Sequence, residues 1–142
     1  VTVNDPYTSW ALILESANGL PAGTISNPGG DADRDGRSNL IEYAFGTSPV
    51  VGNEPTPRMP VNSLTATHFV VRYQRDVTLT SLTFTPQTCP VLGNWKAPGQ
   101  DGAPAGFTDT VVSTVGTLET REAKLPLSSG STCFIRIQVT RQ

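Results

Sequence analysis

Apolar residues recur at helical spacing in the first third of the chain. The residues that lie three or four positions apart in the first such segment are Trp10, Ile13, Leu14 and Ala17. Asp5 before Pro6 supplies an N-cap and a first-turn proline, so this pattern predicts a helix over 6–17. A second apolar stripe comprises Leu40, Ile41, Ala44 and Phe45. It predicts a short helix over 38–45, which Gly46 should end.

In the second half of the chain the period of the apolar positions changes to two. Phe69, Val71 and Tyr73 alternate with positions such as His68 and Arg72. The segments that read as strands are 68–73, 82–89, 110–115, 117–125 and 132–140. Since no helical segment lies between them, we expect a mainly β fold, in which an antiparallel β-sandwich follows a small two-helix segment.

A proline-rich stretch without periodicity separates the two patterns and is typical of a stiff linker or an extended arm. The expected organisation is therefore a helix-loop-helix segment at 1–49, a linker at 50–60 and a β-sandwich at 61–142.

Residues 31–42, between the two predicted helices, satisfy the side-chain requirements of an EF-hand-type calcium loop. The predicted ligands are Asp31, Asp33, Asp35, the backbone carbonyl of Arg37, Asn39 and Glu42. Gly36 occupies the position of the sharp turn. A solvated acidic turn is the alternative, but four unneutralised carboxylates packed this closely would repel one another. Ca²⁺ is therefore the predicted cofactor.

The calcium-loop pattern is not repeated elsewhere in the sequence. EF-hands pair through a branched apolar residue at the eighth loop position, where this chain has Ser38. We therefore expect a fixed structural ion rather than the regulatory opening of a paired EF-hand lobe.

Composition and charge narrow the range of partners. Only 15% of the residues are charged, while the chain has 13 Gly and 12 Pro, a balance typical of loop-rich extracellular β proteins. The formal charge of −2 would be neutralised by one Ca²⁺ ion, which leaves no electrostatic footprint for nucleic acid or for an anionic membrane. No stretch approaches the roughly 18 apolar residues of a membrane span. The absence of an initiator Met and of a signal-peptide pattern predicts a mature product or an excised domain.

Cys89 and Cys133 each lie in a segment that reads as a strand. A disulfide between them is the expected outcome, and closing a loop of about 45 residues would stabilise the fold by roughly 4 kcal/mol. The alternative is two buried free thiols.

The sequence offers no recognisable catalytic constellation. His68 is the single histidine and lies on a predicted strand, no serine occupies a nucleophile elbow, and no spacing singles out a pair of carboxylates. We therefore expect a protein that is not an enzyme.

The run 30–49 resembles the calcium loop and helix of dockerins and thrombospondin type 3 repeats. A Trp-containing helix before this segment and a β-rich module after it make the chain similar to large secreted proteins of the Verrucomicrobia and Planctomycetes type. Weaker similarities are the strand 72–75, the turn 92–95 and the closing strand 133–137. The resemblance implies calcium at the six positions given above and an extracellular or cell-surface location.

Two non-catalytic functions remain open. One is a structural or assembly module that packs by β-strand addition against copies of itself or neighbouring domains, to which the strand-like ends 1–3 and 134–140 are suited. The other is a carbohydrate-binding or accessory domain that recognises a polysaccharide. Aromatic residues assigned to the core are Trp10, Phe45, Phe69, Tyr73, Phe84 and Phe134. This leaves Trp95, Phe107 and Tyr7 as candidate sugar platforms.

Overall fold

A computed structural model describes residues 5–89, 93–127 and 134–142. Within these ranges the chain forms two α-helices, α1 (Pro6–Ala17) and α2 (Asn39–Phe45). The strands that follow are β1 (Val61–Leu64), β2 (His68–Asp76), β3 (Leu82–Cys89), β4 (Thr108–Val115), β5 (Leu118–Pro126) and β6 (Phe134–Arg141). The expected mainly β composition is confirmed.

The strands form two antiparallel sheets. One has the order β1-β2-β5-β4, and the other pairs β3 with β6. Side chains from both sheets share one hydrophobic cluster, which comprises Val71, Phe107, Ala123 and Leu125 with Phe69, Ile135 and Ile137 packed against it. The inner faces of the two sheets therefore bury each other's apolar side chains.

The helix predictions agree with the structure almost to the residue. Helix α1 begins at Pro6 because Asp5 accepts hydrogen bonds from the backbone N–H groups of Tyr7 and Thr8. Helix α2 begins one residue later than predicted because Ser38 is its N-cap. Strand β1 was not predicted: all four of its residues are exposed, so it lacks the burial that produces an alternating pattern.

Three aromatic residues have burials opposite to those expected from the sequence. Phe107 and Tyr7, expected to be free, are 4% and 0% exposed, whereas Phe134, assigned to the core, is 49% exposed. Tyr7 is buried because its hydroxyl donates to the carbonyl of Ile25 at 2.6 Å beneath helix α1. Neither Tyr7 nor Phe107 is therefore available to a ligand.

The loop between the helices is fastened to α1 by a buried carboxylate. Glu15 Oε1 accepts hydrogen bonds from the backbone N–H groups of Ile25 and Ser26, both at 2.7 Å. The bond from Ser26, with further help from Ile25, lowers the pKa of Glu15. These contacts fix the chain that leads into the acidic loop.

Arg58 connects α2 to the segment that precedes the sheets. Its Nη2 donates to the carbonyl of Ala44 at 3.1 Å, and its backbone carbonyl accepts from Gln74 N of β2 at 3.0 Å. The guanidinium lies directly against Gly46, which ends α2 with a φ of 74°. The end of the helix is thereby attached to strand β2.

Two glycine substitutions test this attachment. Gly46→Ala and Gly116→Ala both place a Cβ at positive φ, which costs about 1–2 kcal/mol. Only the Cβ at Gly46 would displace Arg58, since nothing lies within 4 Å of a Cβ at Gly116. We expect the free energy of unfolding, measured in urea, to fall by about 1 kcal/mol more in Gly46→Ala than in Gly116→Ala, because the hydrogen bond of Arg58 is also lost. Equal losses would contradict the role of Arg58.

An ionic network lies on the inner face of the larger sheet. Arg121 bonds to Asp109 at 3.0 Å and to Glu119 at 2.6 Å, and Arg75 Nε donates to Glu119 at 3.1 Å. The hydroxyl of Tyr73 also donates to Asp109, at 3.2 Å. The network joins β2, β5 and β4 where polar side chains replace the apolar core.

This network predicts a loss of stability in acid. Hydrogen bonds from Arg75 and then Arg121 hold the pKa of Glu119 below its usual value of 4.5. Because the pKa is lower in the folded state, this stabilisation is complete above about pH 4.5 and is lost as pH falls through the folded-state pKa. We expect Glu119→Gln to flatten the dependence of the unfolding free energy on pH between about 5 and 3. Asp101→Asn, at an exposed position, should leave that dependence unchanged, and the same slope in both variants would refute the assignment.

Cys89 is buried and has no disulfide partner among the described residues. Cys133 lies outside the described residues, so the disulfide stays a prediction. Neither helix in the described part of the chain has the length and hydropathy needed to cross a membrane.

Candidate metal centre

The acidic loop, residues 31–42, brings three carboxylates together. Asp31, Asp33 and Asp35 each place one oxygen within 4.8 Å of the others. The loop is shaped by its own backbone, because Gly36 N donates to Asp31 Oδ2 at 2.9 Å and Asp35 N donates to Asp33 Oδ1 at 3.1 Å. Gly36 has a backbone φ of 92°, a conformation that residues with a side chain rarely adopt. The carboxylates therefore converge because of the loop's sequence.

Two carboxylate oxygens in this region are buried without a partner. They are Asp33 Oδ2 and Glu42 Oε2, neither of which has a hydrogen-bond partner among the described residues. Glu42 is fully buried, and its other oxygen receives only a long hydrogen bond, at 3.4 Å, from the Thr47 hydroxyl. A buried oxygen without a partner costs about 1–3 kcal/mol, and more if it is charged. A ligand for these oxygens would remove that cost.

The electrostatic surroundings of Glu42 also favour a bound ligand. Burial, followed by the negative charges of Asp33 and Asp35, raises its pKa to about 8. Burial and the neighbouring carboxylates of Asp35 and Asp31 also raise the pKa of Asp33. A buried carboxyl beside other negative charges is stable only if a proton or a nearby cation neutralises it.

Asp35 already has a positive partner. Arg37 Nη1 lies 2.8 Å from Asp35 Oδ2, and the Asp35 side chain is inaccessible to solvent. The backbone N–H of Asn53 donates to the same oxygen at 3.2 Å. Gly52 and Asn53 thus lie against the loop, a contact that sequence reasoning missed, although Gly52-Asn53 is a recognisable turn signal.

Asn39 is fully engaged within the protein. Its amide nitrogen donates to the carbonyls of Thr24 and Asn27, both at 2.9 Å, and its Oδ1 accepts from Ala32 N at 3.3 Å. The side chain therefore fixes the entry to the loop. Ligand roles for the Asn39 side chain and for the Arg37 carbonyl stay predictions.

The chemistry of the donor set fits calcium. All the converging groups are carboxylate oxygens, which hard cations prefer, and four acidic residues would supply the charge that attracts a divalent ion. The two oxygens without a partner among the described residues belong to Asp33, near the start of the loop, and to Glu42, at its end. Asp31, Asp33 and Asp35 are the residues that would hold the ion. Glu42 lies outside the group of carboxylate oxygens that are all within 4.8 Å of one another, so its role as a further ligand stays a prediction.

No family model, no curated protein and no solved structure matches this chain. The assignment of the site consequently rests on the loop itself.

The structure also shows the surroundings of Trp95, a candidate sugar platform, and of His68, the single histidine. The guanidinium of Arg136 lies over the ring of Trp95, 4.0 Å from its centroid, so one face of this proposed sugar platform is covered. His68 Nδ1 lies 2.7 Å from the hydroxyl of its neighbour Thr67, at the start of β2.

Proposed function

We propose that this chain is a secreted, calcium-stabilised structural module without catalytic activity, in which an EF-hand-like segment is fastened to a β-sandwich. The observation that carries the proposal is the pair of buried carboxylate oxygens, Asp33 Oδ2 and Glu42 Oε2, that lack partners among the described residues. Calcium would supply charge neutralisation and oxygen coordination at this point.

The position of Glu42 explains how the ion would stabilise the rest of the fold. Glu42 lies in the first turn of α2, and Phe45, one turn later, packs against Phe84 of β3. Arg58 fastens the end of the same helix to the segment before β1. A cation that fixes Glu42 therefore also fixes a helix that contributes to the main core.

Calorimetric titration tests the proposal. We expect protein stripped of metal by a chelator to bind one Ca²⁺ per chain, and Asp31→Ala to weaken binding by at least about tenfold because one charged ligand is lost. Asp101→Asn removes an exposed carboxyl outside the loop and serves as the control. Absence of calcium binding by the unmodified chain would refute the proposal.

We also propose that the module associates with copies of itself, and an exposed edge strand of the larger sheet supports this role. Strand β4 is the last strand of that sheet among the described residues, and Val111, Val112 and Val115 are all at least 44% exposed. Such an edge can add a strand from a second copy. The β-bulge between Val111 and Ser113 interrupts the edge, so we expect association through its ends.

Electron microscopy of the purified protein tests this assembly role. Concentration-dependent polymers that disappear in Val115→Lys, at the most exposed valine, are the expected result, because a charge on an edge opposes strand addition. Thr80→Lys, at an exposed position outside the strands, should leave the polymers intact. A monomer at every concentration would contradict self-association while leaving the calcium proposal untouched.

A further inference from the structure

A cleft of about 270 Å³ opens between α1 and the chain that follows α2. Trp10 and Leu14 form one side, and residues 46–49 with Glu54 form the other. None of these residues belongs to the acidic loop, so the cleft is separate from the proposed calcium site.

Trp10 provides a rigid aromatic wall. Trp10 is half-buried, and its ring packs against the rings of Tyr7 and Tyr43 at centroid distances of 5.5 and 4.9 Å. Because contacts with two neighbouring rings fix the indole, a ligand that stacks on it does not pay the entropy cost of ordering the side chain. An indole is large and apolar and suits the C–H face of a pyranose ring.

Glu54 provides an oriented acceptor opposite this wall. Its Oε1 receives a hydrogen bond from Ser48 N, and among the described residues no cation lies within ion-pair distance of it. The Ser48 oxygen accepts from Val50 N at 3.3 Å, which leaves its O–H free to donate. A carboxylate acceptor and a hydroxyl donor side by side suit a ligand that carries several hydroxyl groups.

The size of the cleft suits a ligand of one ring. The volume of about 270 Å³ lies just below the usual range for small-molecule pockets, about 300–1,000 Å³.

We propose that this cleft is a subsite for one pyranose ring of a saccharide. The ring stacks on Trp10, and its hydroxyl groups bond to the carboxylate of Glu54 and to the hydroxyl of Ser48. Trp10, rather than Trp95, is the platform.

The proposed calcium site supports one wall of the cleft. Thr47 donates through its backbone N–H to the Glu42 carbonyl at 3.0 Å and through its hydroxyl to Glu42 Oε1 at 3.4 Å. Fixing Glu42 therefore fixes residues that line the cleft. Saccharide binding should be tighter with calcium than with chelator, and this dependence alone rests on the proposed function.

Nuclear magnetic resonance titration tests the subsite. The full chain, with calcium, is titrated with cellohexaose, laminarihexaose, mannohexaose and xylohexaose while the backbone amides of Thr47 and Ser48 are followed. We expect at least one saccharide to shift both amides, and Trp10→Phe and Glu54→Gln each to weaken its binding by about tenfold, the effect of one good contact. Trp95→Phe is the matched control and should bind like the unmodified chain.

Three results would overturn the subsite. The first is that no saccharide shifts these amides at about 10 mM, a concentration that would detect even very weak binding. The second is an unchanged saccharide affinity in Trp10→Phe, and the third is a shift of the amides by n-butylammonium but not by the saccharides. Calcium titration of Trp10→Phe should match that of the unmodified chain, which shows that the fold is intact. Saccharide binding that persists in a chain unable to bind calcium would refute the calcium dependence and retain the subsite.

Discussion

Chelation of calcium is expected to lower the melting temperature of this protein by roughly 10 °C. With free calcium at about 1,000 times its dissociation constant, an ion that binds only the folded state contributes about 4 kcal/mol. Each kcal/mol corresponds to about 2–4 °C in a chain of this size. Differential scanning calorimetry with calcium and with chelator measures the difference.

The variant Glu42→Gln makes this prediction specific to the site. It keeps the shape of the side chain but removes the charge, so calcium should no longer raise the melting temperature. With chelator, Glu42→Gln should melt at or above the unmodified chain, because a fully buried carboxyl flanked by Asp33 and Asp35 has been replaced by a neutral group. Asp101→Asn should retain the full calcium response. A calcium response in Glu42→Gln equal to that of the unmodified chain would rule out this ligand.

Phe45→Ala is expected to lower the free energy of unfolding by about 3–5 kcal/mol, as for a fully buried aromatic side chain. Phe45 is 3% exposed, and its ring meets that of Phe84 edge to face at a centroid distance of 5.6 Å. The substitution therefore leaves a cavity between α2 and β3. Urea unfolding at saturating calcium measures the loss.

Phe134→Ala is the matched control for this loss. Phe134 is 49% exposed, and surface substitutions usually change stability by no more than about 0.5 kcal/mol. A loss in Phe45→Ala no larger than in Phe134→Ala would contradict the packing of α2 on the sheets, and with it the proposed route by which calcium would stabilise the core.

Local signals in the sequence were sufficient to predict the two helices and the convergence of carboxylates in the acidic loop. Asp5 and Pro6 predicted the start of α1 because the capping bond from Tyr7 N, at 3.1 Å, depends only on neighbouring residues. The convergence of Asp31, Asp33 and Asp35 likewise follows from their spacing around Gly36. Alternating strands such as β2 were predictable for the same reason.

Contacts between distant residues could not be predicted from the sequence. Phe107 and Phe134 were assigned to the wrong environments because their burial depends on which parts of the sheets face each other. The contact of Asn53 with Asp35, eighteen residues away, needs the chain to fold back over the loop. The two oxygens without a partner among the described residues are also visible only in three dimensions, although they carry the proposal of a metal site.

The most direct test of the calcium proposal is anomalous X-ray diffraction from crystals grown in calcium, measured with and without chelator. The account predicts one anomalous peak among Asp31, Asp33, Asp35 and Glu42, at about 2.3–2.6 Å from their oxygens, that disappears with chelator. A map with no peak there, and with Glu42 Oε2 bonded to water or to a protein donor, would contradict it.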